Sequence, residues 1–212
     1  MKRALFAWLI LITLVVRATE PPTGFLLETP AVIKAATDVT CQKYTDSDRI
    51  LVDNHTFEAY EKDGTSVVWD DEYTKVLTEK GRRESGSLSL EFNTHYGTSL
   101  VYRAEIIKPN GRVIPIDVAA YSRIMTDPSQ MGMNIYDPAN KVLTCAIPGI
   151  EIGDMYHIVS CRIIKKAYVP NTWSDMTIAE YDNPILRLDR EVIAPAGYLG
   201  RKTGRGVYTY DQ

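Results

Sequence analysis

Several features that usually announce a chemistry are missing from this 212-residue chain. It holds three histidines and three cysteines, and none stands at Cys-x-x-Cys or His-x-x-x-His spacing. Structural zinc sites carry such spacing, so His55, His95 and His157 form no recognisable ligand set. No glycine-rich phosphate loop, nucleophile elbow or dinucleotide fingerprint follows a strand, and Gly204-Arg205-Gly206 is too short to serve. No cofactor is therefore expected. The charge is nearly balanced, with 24 basic and 27 acidic residues, which leaves no electrostatic footprint for nucleic acid. Beyond residue 18 no apolar run approaches the roughly 20 residues of a membrane span.

The N-terminus is different. Lys2 and Arg3 precede an apolar run from Ala4 to Val16, and Val16-Arg17-Ala18 offers a cleavage site after Ala18. This pattern predicts a signal peptide over residues 1–18, an N-terminal signal helix that is removed. The mature protein is then periplasmic or extracellular, with no membrane span after cleavage. In an oxidising compartment three cysteines allow at most one internal bridge. Cys145 and Cys161 flank an expected hairpin and are the candidate disulfide, with Cys41 left over. Three small buried thiols without a bond are the alternative.

Residues 19–47 carry three prolines, Pro21, Pro22 and Pro30, and read as a linker and N-terminal extension, with room for a short helix. From Arg49 the pattern turns to strands. Asp63-Gly64 separates two β-like runs, and Asn110-Gly111 separates two more, both strong hairpin signals. Leu88, Leu90 and Phe92 alternate with polar residues, and Leu100, Tyr102, Ala104 and Ile106 are expected to share one face of the next strand. Residues 126–140 are rich in turn formers and read as a long loop. A hairpin is expected around Pro148-Gly149 and Gly153-Asp154, followed by a strand over 155–166. Further strands are expected in TWSDMTIAEY and ILRLDREVIAP, and none in the tail. The fold class is all-β, a mainly antiparallel β-sandwich over residues 48–200, with a C-terminal tail at 201–212.

Possible chemistry is thin. Cys161 and His157 lie on one face of a strand but roughly 13 Å apart along it, too far to act as nucleophile and base. Cys145 faces His157 only in one hairpin register. Asp70 and Glu72 share a strand face, a pattern open to glycoside hydrolysis or calcium but more common on a solvated surface. Asn54-His55-Thr56 is a glycosylation sequon.

The segments VLTEKGRRESGSLSLEF, AEIIKPNGRVIPID, AIPGIEIGDMYHIVSCRI and TWSDMTIAEYDNPILRL occur in an order that resembles domain of unknown function 3857. That family is the N-terminal β domain of bacterial exported transglutaminase-like proteins. The resemblance implies a β domain that precedes a thiol-dependent core. Such a core needs a helical Cys, a His and an Asp. His157 is the last histidine, so no such core is legible here. The expected role is an exported, non-catalytic accessory or binding domain for a protein, a peptide or a downstream transglutaminase-like domain. Met125, Met131, Met133 and Tyr136 are the candidate partner surface, since methionine adapts its shape to a partner. The alternatives are the front end of a thiol enzyme whose core lies beyond Gln212, and a carbohydrate-binding sandwich using Trp69 and Trp173.

Overall fold

A computed structural model describes residues 20–132, 136–172, 183–195 and 205–211, the last of these as backbone only. The signal-peptide residues, Met133 and Trp173 lie outside the described residues, as does most of TWSDMTIAEY. Among the described residues ten strands form two sheets: β1 (Arg49–Tyr60), β2 (Ser66–Val76), β3 (Ser87–Asn93), β4 (Gly97–Ile107), β5 (Val113–Pro115), β6 (Ser122–Thr126), β7 (Asn140–Ala146), β8 (Met155–Ile164), β9 (Arg187–Ile193) and β10 (Arg205–Asp211). The larger sheet runs β10-β9-β1-β2-β8-β4-β5, and the smaller runs β3-β7-β6. All pairings are antiparallel except β1 with β9.

The turn residues place the hairpins where the sequence puts them. Gly64, at φ +87°, adopts the left-handed conformation between β1 and β2, and Gly111, at φ +81°, does so between β4 and β5. The hairpin expected between Cys145 and Cys161 does not form. β7 belongs to the small sheet and β8 to the large one, so the Pro-Gly and Gly-Asp turns carry the chain across the sandwich. The two thiols accordingly sit in different core clusters with no disulfide, and Cys41 is an exposed thiol.

A bulge at Tyr102, between the pairs of Val101 and Arg103, changes which face β4 residues occupy. Leu100 packs with Trp69 on one side of the sheet, while Val101, Ala104 and Ile106 pack on the other. One extra residue flips every side chain beyond it, so strict alternation fails there. β3 keeps its alternation: Leu88, Leu90 and Phe92 pack between the sheets with Leu143 and Ile158.

Residues 25–39 are no linker. They form a strap across the outer face of the large sheet, with a helix over Thr29–Ala35. Phe25, Val32, Ala36 and Val39 are buried against that face. The spacing of Val32, Ala36 and Val39 is that of one helical stripe. The domain thus has three layers: strap, seven-stranded sheet, three-stranded sheet. β8 lies in the middle layer, with Val159 and Cys161 toward the strap and Ile158 toward the small sheet. The tail also differs from expectation, because β10 closes the large sheet beside β9.

Two substitutions test this packing. Ile106→Ala removes a side chain buried between the sheets and is expected to cost about 2–5 kcal/mol in urea unfolding. Gly97→Ala drives a Cβ into the carbonyl of Ile163 on the neighbouring strand, and is expected to destabilise more than a solvent-facing Gly111→Ala despite Gly111's positive φ.

Candidate functional site

The register of three central strands sets Tyr73, His157 and Glu105 side by side on the strap-facing surface. Asp71 lies two residues along β2 on the same face. His157 Nδ1 is 2.9 Å from Glu105 Oε2, and its Nε2 is 2.8 Å from Asp71 Oδ1. Tyr73 stacks on the imidazole, with ring centroids 3.9 Å apart and planes 9° from parallel. Asp71 and His157 are fully buried, and only Glu105 keeps some contact with solvent.

Both ring nitrogens of His157 face carboxylate oxygens at hydrogen-bond distance. Neither nitrogen is left to take a proton from a nucleophile, and water does not reach them. Cys161 shares the strand but pairs with Trp69, four residues from His157. Burial pushes its thiol up to about 12, which is the state of an inert core cysteine.

The opposite face of β2 carries the pair expected from sequence. Asp70 Oδ1 accepts from Asn54 Nδ2 at 3.0 Å and from Thr56 Oγ1 at 2.8 Å. Burial holds the Asp70 carboxyl above its usual range. Burial does the same to Glu72, and the neighbouring Asp70 charge adds to it. Asn54 is buried and its amide is committed to Asp70 and to the Asp71 carbonyl, so the sequon is no acceptor in the folded chain. At the β1–β9 seam Arg187 bridges Asp53 and Asp189. Among the described residues, no three His, Cys, Asp or Glu side chains gather as metal ligands.

The partner surface expected from sequence is built more firmly than a loop. Residues 128–132 form a 3-10 turn, and among the described residues β6 pairs only with β7, at the edge of the small sheet. Buried Gln130 braces the segment: its Oε1 accepts from the Asp137 amide at 2.9 Å and from Asn140 Nδ2 at 3.1 Å. On this frame Met125, Met131 and Tyr136 are exposed, Met131 at 83%. Tyr121 and Ile124 are exposed beside them, and sequence reading missed both. Ile124 is the telling one: its β7 partner Leu143 is buried in the core, yet Ile124 itself is 60% exposed. Trp69, by contrast, is buried and meets Tyr102 edge-on, so it offers no sugar platform.

Two measurements follow. His157→Ala strands two carboxylates, one of them fully buried, and is expected to cost about 3 kcal/mol or more in chemical denaturation. Asp70→Asn keeps an acceptor for Asn54 and Thr56 but removes a buried charge. A carboxyl raised in the folded state favours the fold while protonated and opposes it as pH rises. The variant is expected to melt higher than the native chain at about pH 7 and to lose that advantage toward about pH 4.

No curated protein matches the chain. Among solved structures it resembles a proposed protease from Parabacteroides distasonis ATCC 8503, with a TM-score of 0.59 and 13% identity over 71% of this chain. The match covers 29% of that protein, so the chain spans less than a third of its length. Two family 3a carbohydrate-binding modules from the Clostridium thermocellum scaffoldin cipA also align. One has a TM-score of 0.33 and 13% identity over 64% of this chain and 80% of the module. The other has a TM-score of 0.30 and 14% identity over 60% of this chain and 86% of the module. Those scores are too low to indicate a shared fold. The profile of a domain of unknown function with a solved structure, DUF3857, matches residues 62–207, which places the chain in the DUF3857 family.

Proposed function

We propose that this chain is an exported, non-catalytic accessory domain that docks a protein or peptide, or a downstream transglutaminase-like domain, through β6 and the segment after it. One observation carries the reading. Five apolar side chains, Tyr121, Ile124, Met125, Met131 and Tyr136, stand exposed on or beside a sheet edge with no strand beyond it among the described residues. An open edge offers unpaired main-chain groups to an added strand, and flanking apolar side chains supply contact area. The leader pattern supports export. No helix among the described residues is long and apolar enough to cross a membrane.

A second reading has its own support. The resemblance to 29% of a longer proposed protease supports the alternative in which this chain is one part of a longer enzyme. The two readings differ in the size of the native product. An antibody raised against residues 31–212 should detect a band slightly below 23.9 kDa in the exported fraction if the module stands alone. A much larger band supports the longer enzyme.

The docking role is tested with a photo-crosslinking residue at position 124. Adducts are expected there and not at Lys34 on the strap. Met125→Lys with Met131→Lys should reduce their yield about tenfold while shifting stability by less than about 0.5 kcal/mol. Equal adduct yields at both positions would remove the case for this edge.

A further inference from the structure

The Asp71–His157–Glu105 cluster does more than fill the core, because its outer side is bonded to the strap. Asp71 uses Oδ1 for His157 and Oδ2 for the Leu27 amide, which donates at 2.8 Å. Tyr73, stacked on His157, has its hydroxyl 2.8 Å from Thr29 Oγ1. His55 Nδ1 lies 2.8 Å from the Phe25 carbonyl, and Lys75 Nζ donates to the Ala36 carbonyl at 2.8 Å. Alternate strap residues 25, 27 and 29 thus each meet a polar side chain of the sheet. Among the described residues the strap has no β-ladder with the sheet, and these four bonds and the apolar contacts attach it there.

We infer that the cluster is a latch: the hydrogen-bonded triad positions Asp71 and Tyr73 to hold residues 25–39, and the strap opens as a unit when the latch is broken. Asp71 depends on His157 for its orientation, and the Leu27 amide depends on Asp71. Losing one member leaves the next buried group without its partner, and a buried polar group without a partner is costly. The interior of the sandwich lies on the far side of the sheet and shares none of these bonds. Opening of the strap is therefore separable from unfolding of the two sheets, in the manner of a local cooperative unit. The residues it uncovers include Trp69, Val159 and Cys161, which pack with Phe25.

The three thiols report this without a probe being added to the fold. Cys41 is exposed, Cys161 is buried with Phe25 on the strap side, and Cys145 is buried between the sheets. The full chain is treated with N-ethylmaleimide under native conditions, quenched at intervals, and each cysteine is followed by peptide mass spectrometry. Cys41 should react at once in every variant. Asp71→Asn is expected to speed Cys161 labelling about tenfold and Tyr73→Phe about threefold, with Cys145 unchanged. Tyr73→Phe keeps the stacked ring and so guards against a variant that fails to fold. Thr29→Val, on the strap side of the same bond, should match Tyr73→Phe, and the double variant should exceed neither. Cys145 rising in step with Cys161 would mean global loosening and would overturn the latch. So would an unchanged Cys161 rate, or additive effects of Thr29→Val and Tyr73→Phe.

Discussion

The structure depends on one imidazole held between two carboxylates in a sheet covered on both faces. Polar groups in such a place are expensive unless they are hydrogen-bonded. Here Glu105 and Asp71 take the two ring nitrogens, and the second oxygen of Asp71 takes a main-chain amide. The requirement fixes the register of β2, β8 and β4 together, since a shift of one residue in any strand would turn its member to the opposite face. It also explains why the N-terminal segment belongs to the domain. Without Leu27 the buried carboxylate would lack an acceptor bond that the sheet itself does not supply.

Much of the fold was legible because its signals are local. Asp63-Gly64 and Asn110-Gly111 need no distant partner to define a turn, and both hairpins are present. Alternation located the buried face of β3. What sequence could not show were events set by neighbours. The bulge at Tyr102 depends on the pairing with β8, so it moved Leu100 off the face its spacing suggested. β6 was missed just before the stretch rich in turn formers, because an edge strand with exposed side chains lacks the alternation that marks a half-buried one. The strap was hidden by its prolines, although Phe25-Leu26-Leu27 and the Val32–Ala36–Val39 stripe are apolar enough to have signalled burial.

The candidate sites show the same division. Asp71 was overlooked beside Asp70 and Glu72, because three consecutive acids look like a solvated face. A signal was present nonetheless: Val67, Trp69 and Tyr73 share its parity, and that parity packs against the strap side. The spacing argument that separated His157 from Cys161 was sound, and the structure gives the histidine another occupation. For Met125, Met131 and Tyr136 the expected exposure is found, and the added members Tyr121 and Ile124 come from a strand that the reading did not resolve. The DUF3857 match covers residues 62–207, the span that holds the Asn110-Gly111 hairpin and the Pro-Gly and Gly-Asp turns on which the resemblance was read.

The parallel seam between β1 and β9 has a consequence for the order of assembly. Glu58 and Arg190 meet there across 132 residues of chain, at 2.5 Å. The β1–β2 and β4–β5 hairpins can form locally, but this seam has to wait for a loop of that length to close. Contacts of such long sequence separation slow folding, and until they form an unpaired edge of β1 stays open. A chain emerging from its N-terminus would expose that edge until residue 193 has appeared. Its most vulnerable period for mispairing with a second chain is therefore set by topology, before the native surface exists at all.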